Sequence, residues 1–130
     1  MAATALSGDE RGVSRPGGTG EELACTHLRR RGFEILERNY RCRAGEVDIV
    51  ARDGHTTVFV EVKERRSRSH GGGLDAVTPG KRRRVVRAAR VWAASHGLSE
   101  APLRFDVVAV EWTETGPRLR HEPGAFDERG

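Results

Sequence analysis

Hydrophobic positions along the chain follow two periods, one typical of helices and one typical of strands. Thr19 followed three residues later by Glu22 is a capping-box pattern, and the apolar stripe after it ends before Gly32. Alternating apolar and polar positions predict strands elsewhere. The predicted elements are a helix at 21–31, strands at 33–42, 46–52 and 55–64, a helix from Thr78-Pro79 to about residue 96, a strand at 103–112 and a short edge strand at 117–121.

Two of these strands flank the dipeptide Asp53-Gly54, which is a strong signal for an antiparallel hairpin. A two-residue turn at that place pairs Arg52 with His55. It therefore places Glu46 opposite Glu61, with Asp48 diagonal to Glu61. One face of this hairpin is apolar and suited to burial under a helix, and it consists of Val47, Ile49, Ala51, Val58, Val60 and Val62. The other face carries Glu46, Asp48, Glu61 and Lys63.

Acidic residues on neighbouring strands repel each other, so this polar face calls for a neutralising partner. Mg²⁺ is held by one or two carboxylates together with water and phosphate oxygens. We therefore predict that the cluster of Glu46, Asp48 and Glu61 binds a divalent cation, Mg²⁺ or Mn²⁺, and that Lys63 offsets charge that builds on a phosphoryl group. The alternative is the ordinary polar face of an antiparallel sheet.

Charge is distributed unevenly along the 130 residues, of which 36% are hydrophobic and 32% are charged. No acid occurs between Asp75 and Glu100, although the net charge is only +4. A concentration of basic residues favours nucleic acid as the partner, most simply DNA, although such runs are also found on solvated helix faces. The residues predicted to bind it are Arg65, Arg66, Lys81, Arg83, Arg84, Arg87 and Arg90.

The composition also bears on organisation and location. A chain of this length fits one domain, predicted at 18–127, between a disordered tail at 1–17 and a short tail at 128–130. No apolar stretch is long enough for a membrane span, and the first residues do not resemble a secretory signal, so we expect a cytoplasmic protein. Cys25 and Cys42 lack the spacing of a zinc site.

The strand motifs resemble a known family. Residues 45–50, Gly-Glu-Val-Asp-Ile-Val, and residues 59–63, Phe-Val-Glu-Val-Lys, resemble the PD-(D/E)XK signature as carried by the bacterial YraN-like uncharacterised family. Residues 20–24, 38–39, 104–108 and 125–126 resemble that family too, so the likeness covers roughly residues 18–127. One departure is His70, where the family often has an aromatic residue before the following glycine.

The resemblance implies a three-layer α/β/α restriction-endonuclease-like fold with a mixed central sheet, related to archaeal Holliday-junction resolvases. It implies that Asp48 and Glu61 are metal ligands and that Lys63 is the catalytic lysine. Glu22 matches the helix-borne acid of that group, although its position three residues after Thr19 is better explained by a capping box. Asp106 is better explained by a salt bridge than by metal chemistry.

Three functions are compatible with these residues. The first is a metal-dependent nuclease acting on DNA, including structured or branched DNA, and symmetric cleavage of a duplex would require a homodimer. The second is a catalytically inactive nucleic-acid-binding module of the same fold. The third is a basic accessory protein of an RNA assembly.

Overall fold

The computed structural model describes residues 19–66 and 77–129 of the chain. Its elements are α1 Gly20–Arg30, β1 Glu34–Cys42, β2 Gly45–Asp53, β3 Thr56–Arg66, α2 Pro79–Ser95, β4 Leu103–Thr113 and β5 Gly116–Phe126. Every predicted element is present, and β5 continues well beyond the predicted end at residue 121. The predicted tail at 1–17 and the loop around His70 lie outside the described residues.

The five strands form one mixed sheet in the order β1-β2-β3-β4-β5. Strands β3 and β4 are parallel and are connected through α2, whereas the other neighbours are antiparallel. The predicted α/β class with a mixed sheet is confirmed. In the part of the chain that the structure describes, neither helix has the length and apolar character needed to cross a membrane.

Each face of the sheet packs against one helix. On the α1 side, Ala24 and Leu28 of the helix pack against Ile49, Val60 and other strand residues. The α2 side is more aromatic. There the ring centroid of Phe59 lies 5.8 Å from that of Trp92 and 5.6 Å from that of Phe105.

Trp92 belongs to this interior, because its side chain is buried and its indole N–H donates to Glu37 Oε1 at 2.8 Å. A buried indole needs such an acceptor. Trp92 is therefore a packing residue of the interior.

The register of the β2–β3 hairpin differs from the predicted one. Asp53 pairs with Thr56 and Ile49 pairs with Val60, so the two turn residues are Gly54 and His55. The prediction that Arg52 pairs with His55 is therefore wrong. Of the residues at this turn, Gly54 alone has a positive φ, of 64°, which suits the first position of a type II′ turn.

The shift moves the pairing by an even number of residues, so it does not by itself move any side chain to the other face. Continued one step past Ile49 and Val60, the register sets Asp48 opposite Glu61, whereas Glu46 was predicted there. The corrected register brings Asp48 closer to Glu61 than the sequence indicated.

The alternation of faces along β2 changes at Asp48. Ile49 packs on the α1 side as predicted, but Val47 packs with Val50 on the α2 side, so the predicted single apolar face is wrong at Val47. The register of β1 sets Asn39 opposite Asp48, and Asn39 has a positive φ of 55°. A left-handed residue turns an edge strand locally, which accounts for the change of face.

A buried ion-pair network lies under α1. The Asp106 carboxylate, whose side chain is 0% exposed, accepts two hydrogen bonds from Arg104 at 2.9 Å and one from the Gly124 N–H at 3.0 Å. His121 Nε2 lies 2.8 Å from Asp106 Oδ2. These contacts, led by the Arg104 hydrogen bond, outweigh burial and lower the pKa of Asp106. The structural interpretation of Asp106 is confirmed.

We predict that Asp106→Asn lowers the free energy of unfolding by about 3–5 kcal/mol, because it leaves Arg104 without its buried counter-ion and removes the carboxylate that contacts His121. Glu34→Gln is the matched control, since Glu34 accepts from Arg52 at the surface. That change should cost less than about 1 kcal/mol. Urea unfolding measures both values, and equal midpoints for the two variants would contradict the prediction.

Candidate active site

Both helices begin near the carboxyl-terminal end of β3, the central strand of the sheet. At the start of α1, a Cβ added to Gly20 would overlap the side chain of Glu64 on β3. At the start of α2, Lys81 Nζ lies 3.3 Å from Glu61 Oε2. Thr19 and Thr78 cap the two helices. The amino-terminal ends of helices carry partial positive charge, so this edge is electrostatically suited to acidic groups.

Asp48 lies where the ladder between β2 and β3 ends. Its Oδ2 accepts a hydrogen bond from the main-chain N–H of Val62 at 2.8 Å, in place of a carbonyl of the neighbouring strand. Burial raises the pKa of Asp48, the Val62 hydrogen bond opposes that increase, and the nearby Glu21 carboxylate adds to it. This anion is thus held in place by the backbone but is poorly solvated.

Glu61 is the most buried acid of this edge, with a side chain that is 5% exposed. Burial, followed by repulsion from Asp48, raises its pKa from the ordinary value of 4.5 to about 7. Lys81 and Lys63 lower that pKa without compensating for burial. The structure thus brings Asp48, Glu61 and Lys63 together, as the sequence predicted, and adds Lys81 to them.

Glu22 and Glu21 have different roles in α1. Glu22 completes the capping box, because its backbone N–H donates to Thr19 Oγ1 and its Oε1 accepts from the Thr19 N–H. The Glu21 side chain points toward β1, since its Oε1 accepts from Arg38 Nη2 and Asn39 Nδ2, each at 3.1 Å. Its charge raises the pKa of Asp48, so Glu21 is the α1 acid that faces the site.

The contact that Glu21 makes could have been predicted from the sequence. A capping box occupies the glutamate three residues after the cap, which is Glu22 here. The adjacent acid, turned about 100° around the helix axis, is then the one available for another contact. The acid next to a cap is therefore the better candidate for site chemistry.

The seven predicted nucleic-acid-binding residues divide into two groups. Lys81 contacts Glu61, Arg65 Nη2 lies 3.7 Å from Glu111, and Arg90 donates to Glu128. Four others are exposed, and no ion pair is seen for them among residues 19–66 and 77–129. These four are Arg66, Arg83, Arg84 and Arg87.

The donor set fits a hard divalent cation that keeps most of its own water. Within the described ranges, no three His, Cys, Asp or Glu side chains converge closely enough to hold an ion by themselves. Asp48 and Glu61 supply two carboxylates, and Mg²⁺ is commonly bound by one or two carboxylates plus water and substrate phosphate. Their raised pKa values show that added positive charge would relieve both acids.

Comparison with known proteins places the chain among uncharacterised relatives. Residues 20–110 match the uncharacterised protein family UPF0102. A UPF0102 protein of Anaeromyxobacter dehalogenans is 51% identical over 128 residues, which is 98% of this chain and 96% of the relative. One of Geobacter metallireducens is 49% identical over 111 residues, covering 85% and 91%. The predicted resemblance to the YraN-like family is thus confirmed at the level of the family.

We predict that Glu61→Gln changes how stability depends on pH in metal-free buffer. The folded pKa of Glu61 is raised, so its contribution is fully present below the unfolded pKa of about 4.5 and is lost as the pH rises to about 7. The variant lacks this loss. The free energy of unfolding of the variant minus that of the parent should therefore rise by on the order of 2 kcal/mol between pH 4 and pH 8.

Urea unfolding between pH 4 and pH 8 measures the effect. Glu122→Gln, at an exposed position of β5, serves as the control and should follow the parent. Parallel curves for the parent and Glu61→Gln would show that Glu61 is not strained by its surroundings.

Proposed function

The chain belongs to the uncharacterised protein family UPF0102, and we propose that it is a divalent-metal-dependent nuclease that acts on DNA, including structured or branched DNA. In this proposal the mixed sheet is a restriction-endonuclease-like core. Asp48, Glu61 and Lys63 then correspond to the acids and lysine of the PD-(D/E)XK signature.

The observation that carries the proposal is a pair of poorly solvated carboxylates beside two lysines. Asp48 and Glu61 both have raised pKa values, and Lys81 lies 3.3 Å from Glu61. A carboxylate pair buried only for packing would cost stability without any return. Strained, converging acids and bases at the end of a strand are typical of catalytic sites.

The chain's own residues suggest how such a reaction proceeds. Asp48 and Glu61 would hold Mg²⁺ or Mn²⁺, and the bound ion polarises a phosphoryl oxygen and makes a coordinated water more acidic. Lys63 offsets the negative charge that grows on phosphorus as the water attacks. In this proposal Lys63 serves as an electrostatic stabiliser and not as a general base.

A catalytically inactive binding module is the second candidate. It is favoured by one observation, which is that no cluster of three metal-ligating side chains is found in residues 19–66 and 77–129. Such a module would retain the exposed arginines of α2 and bind nucleic acid without cleaving it. Cleavage and metal binding separate the two candidates.

We predict cleavage of DNA in the presence of Mg²⁺ or Mn²⁺. The full chain is incubated with linear, nicked, flapped and four-way DNAs and with a structured RNA, beside Lys63→Ala and Asp48→Asn. Loss of transition-state charge stabilisation should lower the rate at least 100-fold in Lys63→Ala. Binding of DNA by the parent without cleavage of any substrate would leave the binding module.

We also predict that metal stabilises the folded protein. Mass action raises the free energy of unfolding by about 1–3 kcal/mol at metal concentrations of about 10–100 times Kd. Asp48→Asn together with Glu61→Gln should abolish that increase. A parent whose melting ignores both ions would contradict the metal site.

Two neighbouring acids of α1 provide a matched pair for the same melting experiment. Glu21→Gln should reduce the stabilisation by metal, because Glu21 adds negative charge beside Asp48. Glu22→Gln preserves the capping box, in which Gln substitutes for Glu, and should respond to metal as the parent does. A metal response lost in Glu22→Gln and kept in Glu21→Gln would reverse this assignment.

A further inference from the structure

The turn between β1 and β2 lies against the start of α2. A Cβ added to Gly45 would overlap the main-chain oxygen of Arg84, so the backbones of the turn and the helix are nearly in contact. Tyr40 and Cys42, at the end of β1, pack against the apolar cluster on the α2 side. These contacts fix the position of the turn relative to the helix.

This packing brings the turn that carries a second set of arginines close to α2. Arg41 and Arg43 flank the tip of the turn, and both side chains are exposed, Arg41 to 74%. Arg84, whose carbonyl faces Gly45, is exposed on the adjoining turn of α2. Neither Arg41 nor Arg43 was among the residues predicted to bind nucleic acid.

The turn is also next to the candidate active site. Glu46, at the base of the turn, lies 3.2 Å from Arg41 Nε. Its charge also raises the pKa of Asp48. One acid therefore connects the arginines of the turn to the carboxylates of the site, and a chain of phosphates lying over the turn would pass beside those carboxylates.

We propose that Arg41 and Arg43, together with Arg83, Arg84 and Arg87, form one phosphate-binding surface, the arginine cradle, that holds the backbone of duplex DNA beside Asp48 and Glu61. This inference rests on the proposed function and specifies its substrate as a double helix.

The cradle has the features of a surface that contacts phosphates and not bases. Arg83 and Arg87 are four residues apart and therefore about 6 Å apart along the helix, a distance over which duplex DNA presents roughly three to four charges. Val91 is the one large hydrophobic residue that is exposed in the described part of the chain. Single strands are usually held by stacking on exposed aromatic rings, which this surface lacks.

Glu46 provides a gain-of-function test. Its carboxylate competes with phosphate for Arg41, so Glu46→Gln should tighten binding to a 20-base-pair duplex several-fold in EDTA at low salt. Glu34→Gln is the matched control, because Glu34 pairs with Arg52 between the same two strands but outside the cradle. If both variants bind the duplex more tightly by the same factor, the effect comes from net charge alone and the cradle is overturned.

A salt series tests the arginines directly. Fluorescence anisotropy of the full chain with the duplex gives the slope of log affinity against log salt, which falls by about 0.9 for each phosphate contact removed. Arg41→Gln with Arg43→Gln should therefore reduce the slope by about 1–2. Arg118→Gln with Arg120→Gln, at exposed positions of β5 on the other edge of the sheet, should leave it unchanged.

The remaining outcomes separate this inference from the proposed function. If the Arg41 and Arg43 variant has a reduced salt slope but the parent cleaves no substrate, the cradle is supported and the proposed nuclease activity is wrong. If the parent cleaves DNA but the Arg41 and Arg43 variant has an unaltered salt slope, the cradle is wrong and the proposed nuclease activity is supported. A single strand of equal length that binds as tightly as the duplex overturns the assignment to double-helical DNA.

Discussion

The carboxylate of Glu61 has to remain inside the protein although it lies opposite Asp48. Its pKa of about 7 measures the conflict, because burial and a neighbouring anion both oppose its charge. The surrounding structure reduces this cost without removing it. The pairing of β2 with β3 ends at Ile49 and Val60, so the Val62 N–H can donate to Asp48. Helix α2 begins where Lys81 reaches Glu61. The geometry of this edge therefore depends on one poorly solvated acid.

Positive charge in the described chain has two distinct roles. At Asp106 it neutralises a buried carboxylate, since the Arg104 guanidinium contacts that acid in the interior. On α2 and the adjoining turn it faces solvent, where an arginine contributes little to stability but is available to phosphate. Residues of the same type thus stabilise the fold in one place and remain available at the surface in another, and the burial of the acidic partner separates the two.

Much of the fold follows from local signals in the sequence. The caps at Thr19 and Thr78 mark the starts of both helices, and each was predicted because a hydroxyl that accepts from a helix amide acts over three residues. Alternation of apolar residues identified the strands for the same reason. The nearness of Asp48 and Glu61 was predictable too, because an error of two in strand pairing does not by itself exchange the faces of a strand.

Only the tertiary structure decided the features that depend on distant neighbours. The change of face at Val47 follows from the left-handed conformation of Asn39 on the adjacent strand. Glu21, and not Glu22, faces Asp48 because of how α1 is oriented on the sheet. The turn that carries Arg43 lies against Arg84 because Gly45 allows it to approach α2 closely. Sequence patterns report periodicity within one element, whereas these contacts arise between elements, where packing sets the distance between groups that lie far apart in the chain.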